Sequence, residues 1–181
     1  DLLDNGISGV FYCNAGGTIN LTNSSSGWVD LNGELHIYGG TINVFGAISE
    51  WPYSHNALIE MNSGILDFHN CGINIHNSAY TLANIITGGT IRTAYGFSGN
   101  RADFTPAAGT FEFYGPAGSY ISQSNGCSLY NVTINKSANK LPDFTPEVQV
   151  NNGRSGQMKA PGTSSNSILL GTNLTITNNL T

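Results

Sequence analysis

Charge is what this chain has least of. Only 9% of its 181 residues are Asp, Glu, Lys or Arg, against about 25% in an ordinary globular domain. The six basic residues, Arg92, Arg101, Lys136, Lys140, Arg154 and Lys159, are scattered, and the net charge is −5. A nucleic-acid site needs clustered Lys and Arg to displace counterions, and an anionic membrane surface needs the same, so neither is an expected partner. The three cysteines, Cys13, Cys71 and Cys127, stand far apart, and their spacing matches no zinc or redox motif. They read as small buried hydrophobes, with one disulfide open to an oxidising compartment. No run approaches the ~20 apolar residues of a membrane span, so no membrane insertion is expected. No window carries a capped helical stripe. The opening "DLLDNGISG" lacks the charged region and apolar run of a signal peptide, and both ends read as cuts inside a longer chain.

What remains is glycine, of which there are 23, abundant Asn, Ser and Thr, and short alternating runs. "GTINLT" (17–22), "ELHIY" (34–38), "TINVF" (41–45), "ALIEM" (57–61), "ILDFH" (65–69), "LANIIT" (82–87), "TFEFYG" (110–115) and "LYNVTINK" (129–136) are representative. Each alternates apolar and polar residues between Gly, Asn, Ser or Pro, which is a strand signature. The Gly before a strand recurs at positions 17, 40, 64, 89 and 109. Self-similarity at so nearly constant a step marks a repeat architecture. A second alignment lays "GELHIYGGTINV" (33–44) over "GILDFHNCGINI" (64–75). Its step is longer than the glycine step, and "GAISEWPYSHN" (46–56) then reads as an insertion that accounts for most of the excess.

The two registers lead to one fold. In a parallel β-solenoid each coil places apolar residues inward over those of its neighbour, ~4.8 Å along the axis, and Gly before a strand permits the corner. The expected architecture is all-β: a right-handed parallel β-helix (β-solenoid) with about three short strands per coil and a core that includes Ile42, Leu66, Ile73, Ile91 and Phe111. An antiparallel β-sandwich, which also writes short strands at regular spacing, is the alternative. Residues 1–140 form the coils, and 141–181, with Pro142, Pro146 and Pro161, form a less regular continuation.

Few side chains assemble into chemistry on sequence alone. Glycoside hydrolysis needs two carboxylates ~5–9.5 Å apart, for which Asp67 with Glu60 or Asp30 is the available pair. Lyase chemistry would draw on Arg92 or Arg101, and neither has an Asp cluster beside it in sequence. No catalytic residue is therefore assigned. His36, His55, His69 and His76 never share a repeat position, so they read as surface or laterally stacked side chains rather than zinc ligands. Calcium would need a loop of carboxylate and carbonyl ligands that the chain does not write, and no cofactor is expected. The sharper candidate is a sugar or surface contact at Trp51, Tyr53 and His55 in "EWPYSH", where aromatic faces and neutral hydrogen-bonding groups meet on a turn. Tyr114 and Tyr120 form a weaker second candidate. Six Asn-x-Ser/Thr sequons, at Asn20, Asn23, Asn131, Asn135, Asn173 and Asn179, read as ladder residues.

The segment 108–180 carries a Gly-Thr-apolar-x-Phe-x-Gly strand (Gly109–Gly115), an aromatic-Asn-x-Thr-Ile-Asn segment (Tyr130–Asn135) and a closing strand, Leu169–Thr177. In this it resembles the repetitive β-solenoid regions of large secreted surface proteins of Bacteroidota, the substrates of type 9 secretion, including gliding adhesins. That resemblance implies an extracellular, surface-attached rod. It implies an adhesive or gliding-motility role, with neighbouring coils of the same longer chain and a polysaccharide or solid surface as partners. A carbohydrate-active β-helix enzyme, lyase or hydrolase, and a phage tail-fibre or tailspike segment are the alternatives.

Overall fold

The computed structural model describes residues 9–22, 33–45, 57–75, 82–137, 156–157, 168–170 and 176–180. Every element among them is a strand. On the larger sheet lie β1 (Val10–Asn14), β2 (Thr18–Thr22), β3 (Glu34–Phe45), β4 (Ala57–Asp67), β6 (Leu82–Ile86), β7 (Thr90–Thr93), β9 (Thr110–Tyr114), β11 (Leu129–Asn135) and β14 (Ile176–Leu180). A smaller sheet holds β5 (Gly72–Ile75), β8 (Gly96–Asn100), β10 (Ser119–Ser124), β12 (Gly156–Gln157) and β13 (Ile168–Leu170). The large sheet has nine strands, ordered β1-β3-β4-β7-β9-β11-β14 with β2 on β3 and β6 on β4. The small one has five, ordered β12-β13-β10-β8-β5. All pairings are parallel except that of the short β12 against β13. The chain is thus a parallel β-solenoid of about four turns, and the sandwich alternative, built on antiparallel pairs, falls away. A coil such as 82–100 contributes three short strands, β6, β7 and β8.

The register settles which repeat is the coil. Thr18 pairs with Thr41, Thr41 with Ile65, Ile65 with Thr90 and Thr90 with Thr110. Each of these residues directly follows one of the repeating glycines, so the glycine step is the stacking step. The longer step is not a stacking register: 33–44 lies along β3, whereas 64–75 runs from β4 round a corner into β5. The two segments look alike because different sides of the coil repeat the same corner-and-alternation grammar. Residues 46–56, read from sequence as an insertion, lie outside the described residues; the register step across them, from Thr41 to Ile65, matches those on either side.

The core lies between the sheets. Ile42, Leu66, Ile91, Phe111 and Val132 stack in one column of the large sheet, register over register, and all are buried. Ile73, Phe97 and Ile121 form the facing column of the small sheet. Phe97 meets Phe111 edge-to-face at 5.5 Å, and Phe104 meets Phe111 at 6.0 Å, joining the two sheets through the middle. Cys13 and Cys127 are buried, Cys71 is partly buried, and none of the three is in a disulfide, in keeping with small hydrophobes. Burial pushes the Cys127 thiol up to about 11, which keeps it protonated and inert.

Candidate functional site

Side chains that alternate away from the core form columns on the outside of the large sheet. One column stacks Asn20, Asn43, Asp67, Arg92 and Glu112 in register. Asn43 Nδ2 donates to Asn20 Oδ1 at 2.8 Å. Arg92 Nε donates to Asp67 Oδ2 at 2.7 Å, and the Arg92 Nη1 group lies 3.9 Å from Glu112 Oε2. Asn135 Nδ2 donates to Glu112 Oε1 at 2.8 Å. Asp67 is fully buried although it faces outward. Tyr114 Oη donates to Asp67 Oδ1 at 2.8 Å, and the His69 backbone N–H donates to the same atom at 2.8 Å. The Arg92 guanidinium covers the Tyr114 ring at 5.2 Å. Burial first, then the hydrogen bond to Asp67, pushes the Tyr114 phenol well above its ordinary range, so it serves as a donor and not as a base.

A second network lies earlier on the same sheet. His36 Nε2 is 2.8 Å from Glu34 Oε2, and Nδ1 is 2.9 Å from Glu60 Oε2. Tyr12 stacks flat on the His36 ring, with centroids 4.5 Å apart and planes 17° apart. The second histidine repeats the device: Phe45 stacks on His69 at 4.4 Å and 11°. The rings lie rung over rung, so their faces meet one another along the axis. These are the laterally stacked histidines expected from sequence. His55 and His76 fall outside the described residues.

None of the family models, curated proteins or solved structures compared with the chain matches it.

The sequence-derived candidates fare unevenly. Trp51, Tyr53 and His55 lie outside the described residues, as does Asp30. Glu60 and Asp67, considered as a carboxylate pair, belong to different networks: Glu60 holds His36, and Asp67 is occupied by Arg92, Tyr114 and the His69 amide. Tyr114 is a member of the Asp67 network, while Tyr120 meets Tyr95 edge-to-face at 5.5 Å. Of the sequon residues, Asn20, Asn131 and Asn135 do serve the ladder, Asn131 through a bond from Nδ2 to Gly109 O at 2.9 Å. Among the described residues no group of three or more His, Cys, Asp or Glu is placed to hold a metal ion. The Arg92–Asp67 pair is invisible along the chain, but the glycine step reveals it. One coil beyond His36 is Glu60, one beyond Asp67 is Arg92, and one beyond Arg92 is Glu112.

Lys136 is a further unusual group. Its Nζ donates to Tyr114 O at 2.7 Å and to Ser119 Oγ. Burial lowers its ammonium from 10.5 to about 8. Between those values the unfolded chain holds the extra proton, so this group makes stability rise with pH across that interval. Denaturant midpoints of the chain and of Lys136→Met, compared at pH 7.5 and 9.5, should differ in that sense: the wild type gains on the variant as pH rises.

Proposed function

We propose that this chain is a segment of a rigid, surface-attached extracellular rod that presents its turns to a polysaccharide or solid surface. The observation that carries the reading is the saturation of the outer ladder. Asp67, the most buried carboxylate among the described residues, spends its oxygens on Arg92, Tyr114 and the His69 amide. That arrangement braces three successive rungs and leaves this acid unavailable for proton transfer. Scarce charge and polar Asn, Thr and Ser columns suit a surface that must stay soluble without strong fields. The resemblance to secreted Bacteroidota solenoids adds the cell-surface location and the adhesive or gliding role. Incubating the chain with a panel of neutral and acidic polysaccharides tests this. Retention without cleavage, weakened when Trp51 and Tyr53 are replaced by Ala, is expected. Release of shortened or unsaturated sugars would instead favour a β-helix lyase or hydrolase, and failure to be retained on any polysaccharide or mineral surface would remove the adhesive role.

A further inference from the structure

We infer that His36 is a proton-dependent brace that fastens β1, β3 and β4 of the large sheet to one another. An ionised carboxylate only accepts hydrogen bonds, whereas a neutral imidazole has one donor and one acceptor. Both ring nitrogens of His36 face carboxylate oxygens, at 2.8 and 2.9 Å, so only the imidazolium satisfies both contacts. The Tyr38 hydroxyl, 3.2 Å from Nδ1, does not supply the missing proton. Its single proton is given to Glu60 instead, a bond that after burial, the larger cause, raises this phenol. The groups facing the ring are thus Tyr12 from β1, Glu34 and Tyr38 from β3, and Glu60 from β4. His36 is only 7% exposed, so water is a poor substitute for a lost partner.

A charge-assisted hydrogen bond is stronger than a neutral one. Losing the proton converts one such contact into a lone pair facing a carboxylate. The brace is then closed while the ring carries both protons and open once one of them is lost.

The test uses the full chain. At pH 6, long-range proton–nitrogen spectra should show His36 with both ring nitrogens protonated, assigned by the loss of its signals in His36→Gln. Amide exchange at Ile37 and Met61 should then quicken roughly tenfold or more between pH 6 and 9 beyond the intrinsic rate, the size of one charge-assisted hydrogen bond. In His36→Gln, or in Glu60→Gln should the first variant fail to fold, that extra acceleration should be absent or much reduced. A singly protonated His36 ring at pH 6 overturns the inference, as does an undiminished pH response in the variants.

Discussion

Gly64→Ala should destabilise the chain by about 2–5 kcal/mol, the sum of a left-handed backbone penalty and an overpacked corner. Gly64 adopts φ +88°, and a Cβ built there would lie 2.3 Å from the Gly40 carbonyl oxygen in the neighbouring rung. That neighbour is backbone in a stacked corner, so it has little room to yield. Gly16 isolates the two contributions. It has φ +79° but an open space around its Cβ position, so Gly16→Ala should cost only ~1–2 kcal/mol. Denaturant midpoints at constant slope give both numbers. Equal losses at the two sites would mean that the corners are not in mutual contact, and the account of why glycine repeats would have to be abandoned.

The second large effect is expected at Arg92. Replacing it by Met removes the guanidinium bonded to Asp67, whose side chain is 1% exposed. An uncompensated buried charge costs about 3–5 kcal/mol, with the surviving bonds from Tyr114 and the His69 amide holding the loss near the lower end. Adding Asp67→Asn to Arg92→Met should recover most of the deficit, because an amide oxygen still accepts those two bonds and carries no charge. A loss below ~1 kcal/mol for Arg92→Met would be that of a surface ion pair, and the claim that Arg92 and Tyr114 seal Asp67 from water would fail.

Most of the large sheet is legible in the sequence because its strands combine alternation with a glycine corner at a nearly constant step. Ile42, Leu66, Ile91 and Phe111, expected inward, share one column, and Ile73 occupies the facing sheet. The small sheet is harder to read. β8 is "GFSGN" and β10 is "SYISQS", and with so few apolar residues neither carries a strand pattern. Gly96 and Gly99 are small for a reason that only the packed coil supplies: a Cβ at either would run into Tyr120 or Cys127. β1, "VFYCN", escapes notice because it precedes the first glycine corner. The outer networks are hidden for a related cause. A contact between residues one coil apart has no local signature, and the competing longer step misaligns the polar columns even while it keeps the apolar ones in phase.

Because each rung touches chiefly the rungs directly above and below, the length of this molecule is a free variable. A duplication of one coil's worth of codons, beginning and ending at equivalent points, adds one rung and about 4.8 Å of reach. It presents the same corner glycine and the same inward column to its neighbours at both faces. A globular core has a fixed volume and would reject such an insertion. Here a copying error in the gene becomes a change in how far the protein extends, and selection can set that distance without redesigning a single contact.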